Sequence, residues 1–180
     1  QTNRTPALDI DDAERHLRTK RYTRAEPFLH RALRNEMKTV GPEDPEVTRT
    51  LDAMGHLYLR TGQYSKAEPC LQQVLRTTEK TRGPEDLATA AAASNLGELY
   101  KASGQYSKAA PMLDRAVKIK EKALGPDNPE VAQSLNTLAG IYGAQGEYAK
   151  AKPLLEQTLK TFETNLPPTD PRVAQVLSDL

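Results

Sequence analysis

Apolar residues recur along the chain at the three- and four-residue spacing of one helix face, and proline and glycine interrupt the pattern at regular distances. Ile10, Ala13 and Leu17 share one face of a first helix. Ala25, Leu29, Ala32 and Leu33, with Phe28 beside them, mark a second helix from Tyr22 to Thr39. In a third, Val47, Leu51, Met54 and Tyr58 form the apolar side. Arg49, Asp52, His56 and Arg60 fall on the opposite side, at about 100° per residue.

The punctuation predicts where helices start and stop. Asp44-Pro45-Glu46 combines an N-cap, a proline at the first helical position and an acid at the positive helix end. Asn128-Pro129-Glu130 and Asp170-Pro171-Arg172 repeat that start, Asp86-Leu87-Ala88 varies it, and Thr5-Pro6 offers a simpler version at the beginning of the chain. Gly62, Gly104 and Gly146 follow helices predicted to run to Thr61, Ser103 and Gln145. Breaks are therefore predicted near 41–43, 61–63, 83–86, 103–105, 125–128, 145–147 and 165–169. A proline just past the first turn of each later helix (Pro69, Pro111, Pro153) removes one hydrogen bond, and an outward bend is expected there.

These signals repeat with a period of 42 residues. Tyr22, Tyr64, Tyr106 and Tyr148 keep that step, as do Pro27, Pro69, Pro111 and Pro153, and Ala25, Ala67, Ala109 and Ala151. A unit that cannot bury its own apolar face stacks on its neighbours. The expected organisation is one solenoid over 1–180. Its units span 1–42 (with a degenerate first helix), 43–84, 85–126, 127–168 and a truncated 169–180. Residues 1–20 form either a repeat helix or a cap. The chain reads as a piece of a longer protein.

Charge adds little to this picture. The 25 basic and 24 acidic residues give a net charge of +1, with a basic excess gathered between Arg15 and Arg34. No aromatic residues interleave with that cluster to stack bases, so no nucleic-acid partner is expected. No apolar run reaches the ~20 residues of a membrane helix, so no membrane partner is expected either. Cys70 is the lone cysteine, which excludes an internal disulfide and favours a cytoplasmic setting.

Candidate chemistry is sparse. The positions equivalent to Cys70 are Phe28, Met112 and Leu154, which makes it a packing residue expected to be buried. His16, His30 and His56 have no companions at metal-ligand spacing, and the glycines form no phosphate-binding loop. The reading is of a non-enzyme with no cofactor, no metal and no catalytic residues.

Leu51-x2-Met54-Gly55-x2-Tyr58 followed by Ala67-x3-Leu71 is matched by Leu96-Gly97-x2-Tyr100 with Ala109-x3-Leu113. Leu135-x2-Leu138-Ala139-x2-Tyr142 with Ala151-x3-Leu155 matches it again. This pattern resembles the tetratricopeptide repeat, in the long-period form found in kinesin light chains. The resemblance implies an all-α, right-handed α-solenoid of antiparallel helix pairs. It also implies that the polar stripe of each first helix lines a concave groove. Carrying the register over, that groove holds Arg49, Asp52, His56 and Arg60, then Ala91, Ser94, Glu98 and Lys101. Gln133, Asn136, Gly140, Gly143 and Ala144 follow.

Chaperone-binding members of the family grip a terminal carboxylate with Lys, Asn and Arg. Asp52, Glu98 and the absence of basic residues on the fourth unit's stripe break that pattern. The kinesin light chain groove takes acidic peptides with an aromatic anchor, to which Arg49, Arg60 and Lys101 correspond. The function expected is a protein-interaction scaffold whose groove takes a peptide or partner domain, with an acidic ligand favoured. The alternative is a regulatory or sensor array fused to an effector or enzymatic domain. Weak self-association through the ends is expected as well, because Val173, Val176 and Leu177 belong to a helix without a following partner.

Overall fold

The computed structural model describes residues 6–19 and 21–180, and the side chains of all of these except residues 6–8 and 23. Thr5, expected as the cap of the first helix, lies outside them. The described residues are helical, with no strand among them: α1 (Pro6–Arg18), α2 (Tyr22–Thr39), α3 (Pro45–Arg60), α4 (Tyr64–Arg82), α5 (Leu87–Ala102), α6 (Tyr106–Leu124), α7 (Pro129–Ala144), α8 (Tyr148–Asn165) and α9 (Pro171–Asp179). Odd-numbered helices are the first, and even-numbered helices the second, of each pair. The chain divides into two compact units, Gln1–Thr81 and Arg82–Leu180.

The starts form as the sequence dictates. Asp44, Asp86, Asn128 and Asp170 each accept a hydrogen bond from the backbone N–H two residues on, at 2.8–3.0 Å. Each of these bonds satisfies a donor that the helix itself leaves unpaired. Arg172 also bonds the Asp170 carboxylate, and this with the cap holds the acid down to about 2. The cap's contribution is therefore complete above the ordinary value of 3.8 and fades only as pH falls through about 2. At the other end, Gly62 has φ +72°, and the next N–H, of Gln63, reaches back to Tyr58 O at 2.8 Å. A Cβ is strained in that left-handed conformation, which explains the glycine of the 42-residue register.

Pro27, Pro69, Pro111 and Pro153 are exposed, and each second helix runs on through its proline. The hydrogen bond they forfeit is thus lost where water can replace it.

In the Gln1–Thr81 unit, α1 packs on α2 and α2 on α3. Ala25, Leu29 and Ala32 are fully buried, as expected from their spacing. Gly55 of α3 lies against Leu71 of α4 so closely that a Cβ would stand 2.5 Å from Leu71 Cδ2. Asp9 of α1 is fully buried, and Arg31 of α2 grips both of its oxygens, Nε at 2.6 Å from Oδ2.

In the Arg82–Leu180 unit, consecutive helices from α5 to α9 pack in order. Gly97 repeats the close approach with Leu113. Ala132, Ala139, Ala151, Leu155, Phe162, Val173 and Val176 form one apolar cluster that ties α7, α8 and α9 together. Leu177 of α9 and Leu180 just beyond it remain about half exposed, as does Val40 after α2.

Candidate functional site

The stripe expected on α3 is present and faces solvent. Arg49, His56 and Arg60 are exposed and Asp52 is half-buried, while Val47, Met54 and Tyr58 on the opposite side are buried. Leu51 is half-buried.

The residues differ in how far they are already engaged. Arg49 bonds Glu14 of α1 through Nη2 at 2.5 Å and Nε at 3.1 Å, so its charge is largely answered within the fold. Glu14 also lies 3.5 Å from Arg18. His56 lies 3.6 Å from Asp52, one turn back. Arg60, one turn further on, has no ion-pair partner among the described residues.

His56 and Arg60 line a cleft of about 260 Å³ together with Leu17 and Arg18 of α1 and Tyr22 of α2. Its walls offer an aromatic ring, an aliphatic side chain, two guanidinium groups and an imidazole. Such a lining suits an apolar group that carries or adjoins a negative charge.

The sequence marks Leu17 as a packing position and Tyr22 as a repeat position, and places neither of them, nor Arg18, in a site. The signal was the register itself, because Arg18 stands 42 residues before Arg60.

Behind the stripe, Tyr58 does more than fill space. Its hydroxyl donates to Glu26 Oε1 at 3.1 Å and lies 3.0 Å from His30 Nε2. Burial, then the Glu26 bond, pushes the phenol well above its ordinary value, so it stays neutral. Lys66 sits over its ring at 5.2 Å and 3.7 Å from Glu26. Lys108 over Tyr100 and Lys150 over Tyr142 repeat the ring contact, at 5.1 and 5.3 Å.

In the other unit, α5 presents exposed Ala91 and Lys101 with half-buried Ser94 and Glu98. On α7, Gln133, Gly140 and Ala144 are exposed, and Asn136 and Gly143 are half-buried. Ser94 and Asn136 occupy the column of Asp52, and each has a buried side-chain oxygen (Oγ and Oδ1) without a hydrogen-bond partner among the described residues. A Cβ at Gly140 or Gly143 would meet nothing within 4 Å, so packing does not require either glycine.

Cys70 is half-buried rather than buried, and so are Phe28, Met112 and Leu154 of its column. The column lies at the rim of the core, not within it. Burial still pushes the thiol up. Labelling of the native chain near neutral pH is expected to run several-fold slower than labelling in denaturant, since half-burial limits access to the thiol and leaves less of it as thiolate. Equal rates would show that the thiol is open to solvent.

Among the described residues no group of three or more His, Cys, Asp or Glu could hold a metal ion, and no helix is long and apolar enough to cross a membrane.

The sequence pattern of the tetratricopeptide repeat family matches the chain at residues 13–80, 53–122 and 89–164. No curated protein matches the sequence. Among solved structures, a putative kinesin light chain with nearly identical TPR-like repeats from Podosopora anserina is 26% identical. The match covers 97% of this chain and 82% of that one, with a TM-score of 0.84. BtubC (BKLC) from P. vanneervenii is 22% identical over 93% of this chain and 67% of its own, at a TM-score of 0.78. A Rap protein complexed with Competence and Sporulation Factor is 19% identical over 88% and 43%, at 0.71. The last two likenesses concern the fold alone.

Proposed function

Since the chain belongs to the tetratricopeptide repeat family, with the all-α solenoid fold of its members, we propose that its protein-binding role is carried by the polar stripes of the first helices, which take an acidic peptide or partner segment. The observation that supports this is a set of polar groups on α3, α5 and α7 that the fold leaves unused. Arg60 and Lys101 are exposed and answer no carboxylate among the described residues, and Ser94 and Asn136 stand half-buried on the same stripes. The cleft beside Arg60 and His56 would take the anchor side chain, with Arg18 and Arg60 at its acidic neighbour. Arg49 has a smaller part than its position on the stripe suggests, because Glu14 already occupies it.

The reading is of a scaffold in one array over 1–180, without catalysis and placed in the cytoplasm. The Rap protein complexed with Competence and Sporulation Factor supports capture of a partner on this fold only as an analogy. Self-association through the half-exposed Leu177 and Leu180 belongs to the same proposal. It would appear in sedimentation as a mass that rises with concentration, and a constant monomer mass would dismiss it.

The test takes a peptide selected from a displayed acidic library and compares two charge-matched variants. Arg60→Glu with Lys101→Glu should weaken binding roughly thirtyfold, at about 1 kcal/mol for each half-exposed contact. The remaining binding should also depend less on salt. Arg34→Glu with Lys160→Glu, on exposed faces of second helices, should leave the affinity within about twofold. Equal losses in both variants would place the ligand elsewhere.

A further inference from the structure

The joint between α2 and α3 holds a carboxyl group that the binding stripe does not use. Glu36 of α2 is fully buried. Its Oε1 accepts a hydrogen bond from the hydroxyl of Thr50 on α3 at 3.2 Å, and its Oε2 has no partner among the described residues. The 42-residue register fills the same column with Thr78, Lys120 and Phe162, and the facing column with Ala92, Ser134 and Val176. Lys120, half-buried, donates to Ser134 Oγ at 2.9 Å, and Phe162 and Val176 share one apolar cluster. A buried carboxyl stands where other repeats place a hydroxyl, a half-buried ammonium group or a phenyl ring.

We propose that Glu36 makes the α2–α3 joint a proton-operated latch, tight when the carboxyl is protonated and loosened when it ionises. A carboxylate there would have exchanged its hydration for one hydroxyl donor, which is far too little. The surrounding charges do not supply the difference. At the start of α3, the cap Asp44 and Glu46 oppose ionisation, and Arg49 favours it while being bonded to Glu14. On α1, the other helix packed against α2, Asp9 is held by Arg31, Asp12 lies by Arg15, and Glu14 serves Arg49 and Arg18. Among the described residues, Lys66 of α4 pairs on α2 with Glu26.

Burial, the largest influence, holds the Glu36 carboxyl above its ordinary 4.5. A raised value in the folded chain means that the group's contribution is complete below 4.5 and is lost as pH rises through the folded value. The latch also bears on the cleft, because α1 and α2 supply Leu17, Arg18 and Tyr22 while α3 supplies His56 and Arg60. Loosening the joint frees these two walls to separate.

The test follows hydrogen exchange in the whole, unliganded chain between about pH 4 and pH 8, as protection relative to intrinsic rates. In the wild type, protection at the end of α2 and the start of α3 should fall several-fold as pH rises, the direction imposed by a carboxyl that is buried in its protonated form. Glu36→Gln and Glu36→Leu should flatten the profile to within about twofold and exceed the wild type at neutral pH. Thr50→Val removes the one donor and should steepen it. The α8–α9 joint, built on Phe162, should be flat in all variants. Coincident wild-type and Glu36→Gln profiles would overturn the latch. So would loss of folding in both neutral variants, because the charge would then be the stabilising form. No ligand enters the experiment, so its outcome stands apart from that of the binding reading.

Discussion

Replacing Phe162 with alanine should destabilise the chain by about 4 kcal/mol and release α9 from the rest of its unit. Phe162 is 1% exposed and belongs to the apolar cluster that includes Val173 and Val176 of α9. Removing a buried phenyl ring costs the transfer of its carbons and leaves a cavity that helices on either side cannot fully close. Arg172 also loses the ring beneath it, at 5.6 Å. α9 has nine residues, below the length at which an isolated helix holds together in water, so its helicity depends on that packing. Denaturant titration should show the loss of stability, and hydrogen exchange should show α9 opening first. Phe162→Leu, which keeps most of the volume, should cost about 1.5 kcal/mol. A Phe162→Ala variant within 1 kcal/mol of the wild type would mean that α9 is not seated on this ring.

Valine at Gly97 should cost about 3 kcal/mol, whereas alanine there should change stability by less than about 1 kcal/mol. A Cβ on Gly97 would meet Leu113 Cγ at 2.7 Å and Cδ2 at 2.9 Å, and Leu113 is only 2% exposed. Two effects oppose each other for alanine. Leaving glycine gains about 1 kcal/mol of helix propensity, and pressing on Leu113 costs a comparable amount. Ala139 decides which applies, because it occupies the same column opposite Leu155 in the same unit and is buried without breaking the packing. The pair can therefore move enough for one methyl. Valine adds two more carbons to a site with no free volume and is stiff at χ1, so the leucine must leave its rotamer. Thermal unfolding of the two variants side by side would check both values. If alanine proves as damaging as valine, Leu113 cannot yield as Leu155 has.

The same comparison explains what could be read from the sequence. Helix boundaries were legible because glycine and proline fix backbone angles locally. Gly62, Gly104 and Gly146 each follow a helix end with positive φ, at the breaks expected from the period. Which positions face the core was legible for the same reason, since Ala25, Ala67, Ala109 and Ala151 recur in one column and are all buried.

Contacts between residues far apart in sequence were not legible. Nothing near Arg49 announces Glu14, 35 residues earlier, and the column of Arg49 holds alanine and glutamine in later repeats. Glu36 escaped notice because an amphipathic reading assigns acids to solvent, and only packing reveals that Thr50 faces it. Cys70 was placed too deep because its apolar equivalents mark a rim column as readily as a core one. On the α3 stripe, the polar positions face solvent as the period suggests, but which cations remain available depends on partners that the period does not encode.

The central claim is that the first helices hold the ligand. It is tested most directly by the hydrogen-exchange footprint of the chain with and without a saturating peptide selected from the acidic library. Slowed exchange is expected on α3, α5 and α7, extending to the Leu17–Tyr22 side of the cleft, with α4, α6 and α8 unchanged on their exposed faces. Protection concentrated on the exposed faces of the second helices, with α3, α5 and α7 unaffected, would contradict it.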